Sequence, residues 1–574
     1  MMFSASKIFS RRILAAPAAW AIALSLVPAV VQGQDFSCLT NNGSITITRY
    51  TGSSGTVTIP ATIGTLTVTS IGDFAFAYCA SVTNVIIPDT VTNIGEIAFS
   101  SCTGLSHVNI PASVTSIGEI PFQHCVNLSA IAVDTNNPTF SALNGVLFDK
   151  DQATLLQYPE GKGGGSYTVP NSVTCISTDA FYNCTSLTNV SVSTNSPYNL
   201  KDGAFYGCGS LANFTIPSGV TNIGIEAFQY CGSLANIVIP DSVISVGFQA
   251  FYACGGLTNA VVGNGTVTLG YNTFGSCSKL ATVKLGNSLT SVDFFDFRYC
   301  SALASVTFGA SITNIGDSAF AYCYNLSSVT LPNSLTTIGD DAFEYCSSLA
   351  TIAIPAGVTS IGVSVFEYCL DLSAITVDAA NPAYQGVSGV LFDRDMTTLI
   401  QYPEGGTAGS YTIPNGVVNI ASTAFAFCFY LGSVTIPSSV SNIEELAFYD
   451  CVNVTGFFFT GNPPSLGNYV FDLDNSATAY YLPGATGWGS KFGGLPTALW
   501  NPQTAKGRVD IQTKAFGFYI TGVTNTPILV EASTNPVTGP WTVLQNCTIT
   551  NGSFYFSDPQ WINYPARYYR IRSP

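Results

Sequence analysis

Fourteen cysteines act as a ruler along this chain. They stand at 79, 102, 125, 184, 208, 231, 254, 277, 300, 323, 346, 369, 428 and 451, at a constant step except for one that is longer by a single position and two long intervals, from Cys125 to Cys184 and from Cys369 to Cys428. Each has a phenylalanine three positions before it, from Phe76 to Phe448, so that Phe76/Cys79, Phe99/Cys102, Phe228/Cys231, Phe320/Cys323 and Phe343/Cys346 mark equivalent places in a recurring unit. A register held over so many copies excludes an ordinary sequence of unrelated domains and points to stacked structural repeats.

Each slot of the unit has a physical reading, as in Leu326-Ser-Ser-Val-Thr-Leu-Pro-Asn-Ser-Leu-Thr-Thr-Ile-Gly-Asp-Asp-Ala-Phe-Glu-Tyr-Cys346. Leu326, Val329 and Leu331 face one side and Ser328 and Thr330 the other, the alternation of a strand with one buried face. Pro332 stops the strand because it cannot donate the next ladder hydrogen bond. A second short extended piece follows, then Gly339 at a turn. An acidic residue comes next in many copies (Asp73, Glu96, Glu119, Asp317, Asp340), placed to face the amide end of one helical turn formed by Ala-Phe-x-x-Cys. A lone unit cannot bury its apolar face. Stacking must supply the core, giving a repeat solenoid whose strands form a parallel sheet at about 4.8 Å spacing, with a concave outer face.

The pattern Leu-x-x-Val-x-Ile-Pro-x-x-Val-x-x-Ile-Gly-x-x-Ala-Phe-x-x-Cys, from about Thr56 to Thr460, resembles the BspA-type leucine-rich repeat family of bacterial surface proteins. The resemblance implies a leucine-rich-repeat solenoid, export to the cell surface or medium, and adhesion or protein binding. It implies no catalytic residue and no cofactor.

Around the repeats the chain divides as follows. Residues 1–33 read as a signal peptide, with Lys7, Arg11 and Arg12 before an apolar stretch and small residues before Gln34. Residues 34–58 are an N-terminal cap and 59–460 the repeats. The two long intervals copy each other: Gly145-Val-Leu-Phe-Asp-Lys-Asp reappears as Gly389-Val-Leu-Phe-Asp-Arg-Asp, and both copies end in Gln-Tyr-Pro-Glu-Gly. They read as β-hairpin insertions at about 134–166 and 378–410 that bud from the solenoid. Residues 461–500 close the last open edge, and 501–574 form a small all-β, sandwich-like module of short runs such as Ile528-Leu-Val-Glu-Ala and Arg567-Tyr-Tyr-Arg-Ile-Arg.

Charge narrows the functional classes. Only 9% of residues are charged, and setting aside the three leader cations takes the net charge from −15 to −18. Such a surface repels nucleic acid and anionic lipid. Two histidines, His107 and His124, leave no basis for triad chemistry, and one Cys per unit without any Cys-x-x-Cys disfavours zinc. Asp149 with Asp151, and Asp393 with Asp395, lack the further carboxylates and glycine of a calcium loop and suit a turn instead. No metal, cofactor or catalytic site is expected. The column cysteines are expected as free, buried thiols, with Cys38, Cys175 and Cys547 outside the column.

A partner, expected to be an extracellular protein or a glycan, has the outward strand slots to bind; the alternative is an envelope-structural spacer that binds no soluble ligand. Asn189, Asn213, Asn236, Asn259 and Thr282 fall in one such column, and Thr215, Lys284, Thr307 and Thr330 in the next. These are small, hydrogen-bonding and almost uncharged. A tyrosine before the cysteine (Tyr78, Tyr230, Tyr299, Tyr322, Tyr345, Tyr368) could serve sugars as an aromatic strip or could stack between units. Arg567, Arg570 and Arg572 could hold an anionic envelope polymer or guard an edge strand. After removal of the leader, no stretch is long and apolar enough for a transmembrane helix.

Overall fold

The computed structural model describes residues 30–33, 35–193, 198–504, 508–510, 515–572 and 574. Most of the expected leader, residues 1–29, lies outside them. Val30–Gly33 forms a strand antiparallel to Phe36–Asn41. The chain divides into two compact units, one running through Cys125 with Asp134–Thr139, the other comprising Val126–Val133 and Phe140–Pro574.

Both units are built from parallel β-solenoid turns. In the first, Ser44–Tyr50, Leu66–Ile71, Asn93–Ile94 and Ser116–Ile117 pair in parallel succession, and so do Thr56–Thr58, Asn84–Ile86 and the first residues of His107–Ile110. In the second, one sheet runs through Asn236–Ile239, Asn259–Val262, Thr282–Lys284 and Ser305–Thr307, each residue opposite its equivalent in the next turn. The second extended piece builds its own ladder, with Asn314 opposite Thr337 and Thr337 opposite Ser360. Alternation does the sorting: Asn236–Ile239 is exposed, buried, exposed, buried.

The third side is not helical, which corrects the helical turn expected at Ala-Phe-x-x-Cys. Ser318, Phe320 and Tyr322 donate their N–H groups to the carbonyls of Asp340, Ala342 and Glu344 in the following turn (2.8, 2.9 and 2.8 Å). The residues between them, Ala319, Ala321 and Cys323, close tight turns onto the carbonyls of Gly316, Ser318 and Phe320. Left-handed conformations at Ser318 (φ 52°) and Tyr322 (φ 64°) aim alternate amides along the solenoid. Because the hydrogen bonds leave the unit, the acidic residue acts differently too. Asp317 Oδ1 accepts the N–H of Asp340 (3.0 Å), and Asp340 Oδ1 accepts that of Val363 (2.9 Å), so each carboxylate caps the next turn rather than its own dipole. Gly339 is required by closeness and not by a positive φ: a Cβ there would strike Asp317 of the preceding turn.

Phenylalanines from successive turns stack at the core, with Phe228–Phe251 at 5.2 Å, Phe251–Phe274 at 5.3 Å and Phe297–Phe320 at 5.3 Å between centroids, planes within 7°. The cysteines form no disulfide, and most of those in the column make a hydrogen bond the sequence does not announce. Cys231, Cys254 and Cys323 donate their thiols to the carbonyls of Phe205, Phe228 and Phe297 at 3.3, 3.1 and 3.2 Å. Burial pushes the Cys231 and Cys323 thiols well above the ordinary cysteine range, which keeps them protonated as donors.

The duplicated intervals carry hairpins that pair into the solenoid. Tyr158 and Tyr402 take the phenylalanine slot, stacking on Phe181 and Phe425 at 5.2 Å each, and donate their N–H groups to the carbonyls of Ala180 and Ala424 at 2.8 Å. Each long interval is therefore one enlarged turn, Cys125 to Gly161 or Cys369 to Gly405, followed by a turn of ordinary length. The added strands, Phe140–Leu143 with Val146–Asp149 and Tyr384–Val387 with Val390–Asp393, form hairpins whose antiparallel pairing continues into Thr154–Gln157 and Thr398–Gln401. Those last strands rejoin the parallel ladder at Cys175–Ile176 and Asn419–Ile420. Gly161 and Gly405 replace the cysteine because a Cβ would come within 2.6 Å of the Asn127 and 2.5 Å of the Asp371 backbone.

The ladder runs on past Thr460. Phe471 stacks on Phe448 at 5.6 Å, and Thr478–Tyr481 and Leu495–Leu499 continue the parallel sheet. In this last turn Asp474 occupies the cysteine slot. The terminal strands form two antiparallel sheets, Ala515–Thr521 with Ser553–Asp558 and Arg508–Asp510, and Pro527–Ser533 with Thr542–Thr548 and Tyr568–Arg572. They share a small core of Phe518, Ile520, Ile528, Val530, Ile549 and Phe556.

Candidate functional site

The strand columns arrive in the order the alternation predicts. Asn236 lies opposite Asn259 and Asn259 opposite Thr282; in the next column Lys284 lies opposite Thr307. Asn189 is bridged in parallel to Asn213. Asn189, Asn213, Thr215, Asn236, Thr282, Lys284, Thr307 and Thr330 are exposed, and Asn259 is half-buried. Neighbouring turns also bond through these side chains, with Thr282 Oγ1 donating to Asn259 Oδ1 at 2.7 Å. The columns thus form a continuous polar surface on rigid strands, where side chains keep fixed spacings of about 4.8 Å. Val238, 59% exposed, adds an apolar element to the second column.

The tyrosines before the cysteine stack between turns. Tyr299, Tyr322, Tyr345 and Tyr368 stand 4.6, 4.6 and 4.0 Å apart in nearly parallel planes, and Phe427 extends the stack beyond Tyr368 at 3.9 Å. Their faces are turned on one another, so they do not offer the open faces on which a sugar packs. Tyr230 instead meets Tyr206 and Tyr252 edge-on, and Tyr78 is 71% exposed.

Asp149 and Asp393 are occupied by their own turns. Asp149 accepts the N–H groups of Ala153 and Thr154 at 2.8 and 3.0 Å, and Asp393 those of Thr397 and Thr398 at 2.7 and 2.9 Å. Among the described residues no group of three or more His, Cys, Asp or Glu is placed to hold a metal ion. His107 is exposed on its strand, with Nδ1 3.2 Å from Ser106 Oγ. His124 is half-buried, which lowers its pKa. The terminal arginines are used within their module: Arg570 and Arg572 pair with Glu531 at 2.7 and 2.9 Å, and Arg567 with Asp558 at 3.1 Å. Reading by slots missed Glu404 and Asp474. Glu404 sits where ordinary turns carry the tyrosine, and the signal was present in the Tyr-Pro-Glu-Gly copies once Tyr402 is aligned with phenylalanine.

The family model described as the BspA type leucine-rich repeat region matches residues 53–149, 165–281, 267–383 and 407–487, in six copies. Among solved structures, the chain is similar to a leucine-rich repeat protein from Bacteroides ovatus, at 28% identity over 60% of this chain and 94% of that one, with a TM-score of 0.41. It is also similar to a leucine-rich cell surface protein from Faecalibacterium prausnitzii, at 22% identity over 83% of this chain and 95% of that one, with a TM-score of 0.30. A third likeness is to the pneumococcal vaccine antigen PcpA, at 18% identity over 60% and 78%, with a TM-score of 0.32. No curated protein matches the chain. Among the described residues no helix is long and apolar enough to cross a membrane.

Proposed function

Because the chain belongs to the BspA-type leucine-rich repeat family, we propose that this repeat scaffold is exported and works as a non-catalytic adhesion or interaction protein, binding an extracellular protein through the outer face of its first sheet. The observation that carries this reading is the row of exposed, nearly uncharged side chains held in parallel register from Asn236 through Asn259 and Thr282, beside Lys284 and Thr307. A rigid, extended surface of hydrogen-bonding groups suits a polar protein surface, since little side-chain entropy is lost on binding. The excess of negative charge argues against nucleic acid as the partner. A glycan partner, the second reading, would use open aromatic faces, and the stack from Tyr299 to Phe427 turns its faces on one another.

The test is a titration of the purified chain against immobilised extracellular proteins and polysaccharides at two salt concentrations. Saturable, salt-tolerant protein binding, lost when Asn213, Asn236 and Asn259 are changed to Lys, supports the reading. Binding unchanged by the triple substitution removes the strand face from the proposal. Competition by soluble sugars would replace the protein partner with a glycan.

A further inference from the structure

At the second enlarged turn the aromatic column closes from Tyr368 directly onto Phe427, and a cavity lies beside it. Glu404, 2% exposed, takes the tyrosine slot of the enlarged turn; its Oε1 accepts the Tyr368 N–H at 3.0 Å, and its Oε2 has no hydrogen-bond partner. Beside it, Tyr368 and Phe427 meet face to face at 3.9 Å, and Tyr449 stands against Phe427 at 5.6 Å with its plane turned by 77°. These rings, with Tyr469, Glu367 and Asp472, line a cavity of about 430 Å³. Tyr469 is 62% exposed and Asp472 is exposed, so the cavity is reached from solvent.

The lining combines π faces at near right angles with carboxylates and includes no basic residue. Aromatic faces carry negative quadrupole potential, and carboxylates add to it. Burial is the main cause that raises the pKa of Glu367, with nearby Asp341 adding to it, and burial with Glu367 raises that of Glu404. A cation in the cavity offsets the lost solvation of Glu367. The same column already shows which cation it accommodates. At its other end the Arg298 guanidinium lies 4.4 Å from the Phe295 centroid, 5.0 Å from Tyr299 and 5.3 Å from Tyr322, close enough to Asp341 and Glu344 to pull their pKa values down against the larger effect of burial.

We infer that the cavity at Tyr368, Phe427, Tyr449 and Tyr469 is a receptor for an arginine side chain presented by a partner protein, its guanidinium held against Tyr449 and Tyr469, which stand outside the parallel stack, and balanced by Glu367 and Asp472. The planar ion is weakly hydrated and stacks on aromatic faces, which an ammonium does less well. The inference rests on the scaffold reading for the existence of a partner, but it uses residues distinct from the strand face.

The experiment is calorimetric or NMR titration of the full chain with three capped tripeptides, Gly-Arg-Gly, Gly-Lys-Gly and Gly-citrulline-Gly, the last a neutral isostere of the first. Arginine peptide binding at least about tenfold tighter than citrulline peptide is expected, falling to the citrulline level in Tyr469→Ala and in the Glu367→Gln, Asp472→Asn double variant. Equal affinity for citrulline, equal affinity for lysine, no arginine binding, or arginine binding untouched in both variants overturns the assignment. The Asn213, Asn236 and Asn259→Lys variant separates the two readings. It should keep arginine binding: loss of the panel partner in that variant supports the strand-face function, and retention of the panel partner sinks the strand-face function alone.

Discussion

The solenoid turns and the terminal β module solve the same problem by opposite means. In the turns, the same pairing recurs from one turn to the next: phenylalanine on phenylalanine and thiol on phenylalanine carbonyl in the core, asparagine beside asparagine on the strand face. In the module, unlike groups meet. Glu531 is held by Arg570 and Arg572, Asp558 by Arg567 and the Tyr569 hydroxyl (2.8 Å), and Arg570 lies 4.4 Å over Trp541. The difference explains why so few residues are charged. A charge placed in a repeated slot faces the same charge about 5 Å away, and like charges so placed are destabilising. Neutral slots stack without penalty, and the acids that do recur, Asp317 and Asp340, each bond a backbone N–H of the following turn.

The largest expected break is Phe320→Ala. It opens a fully buried cavity between Phe297 and Phe343 and should cost about 3–5 kcal/mol of unfolding free energy, read from denaturant titration of the repeats. A loss below about 1 kcal/mol would show that the column is loosely packed.

Asp474 offers a sharper test, because it is an acid in a thiol slot. It is 1% exposed, and burial raises its pKa to about 8 against the lowering pull of the Cys451 backbone, with Asp450 and Asp472 adding to the rise. A carboxyl whose folded pKa lies above its unfolded value near 3.9 favours the fold while protonated; that contribution is present below about pH 4 and is lost as pH rises through about 8. Asp474→Cys should therefore stabilise the last turn, by about 1–3 kcal/mol at pH 8 and by less at pH 5. Thermal melts at both pH values check the sign. Equal melting of the variant and the parent at pH 8 would contradict it.

On the module side, Glu531→Gln leaves two arginines without their carboxylate and should cost about 1–2 kcal/mol at pH 7, read from the module's near-ultraviolet melting. Burial opposes ionisation of Glu531, but hydrogen bonds from Arg572 and Arg570 lower its pKa overall. Its contribution is complete above the unfolded value near 4.3 and fades as pH falls through the lower folded one. The variant and parent should therefore converge in strong acid.

The smallest effect expected is Ser276→Gly. Ser276 is left-handed at φ 60°, and its N–H donates to the Arg298 carbonyl at 2.7 Å. Glycine should relieve strain and change stability by less than about 1 kcal/mol, in the stabilising direction, as a chemical-denaturation midpoint would show.

The period, the alternation and the outward columns were legible because each is a short-range pattern repeated many times. Asn236, Asn259 and Thr282 could be placed on one line from the register alone. The turns were not legible, since Ile97, Phe295 and Leu446 adopt left-handed conformations usually left to glycine or asparagine. The compensating amide bonds run from one turn to the next, as from Ser318 to Asp340, a separation no local propensity encodes. Tyr158 and Tyr402 hid two turns by replacing phenylalanine where glycine had also replaced cysteine. The cavity joins Tyr368 to Phe427 across the whole of the second long interval, and only the geometry of the enlarged turn brings those rings together.

The amide ladder has a consequence for how such a chain can change in length. An N–H in one turn is answered by a carbonyl in the next, as Ser318 is by Asp340, and a thiol by a carbonyl in the turn before, as Cys323 is by Phe297. Removing the stretch from Ser301 to Cys323 would rejoin the chain at an equivalent point, with each donor finding the next acceptor in line. Removing only part of that stretch would offset every donor beyond the junction at once. Growth and loss along this molecule therefore favour whole steps; the single extra residue between Cys184 and Cys208 is met by a register shift at Tyr198–Leu200, and longer additions fold back on themselves before the ladder resumes, as they do in the two enlarged turns.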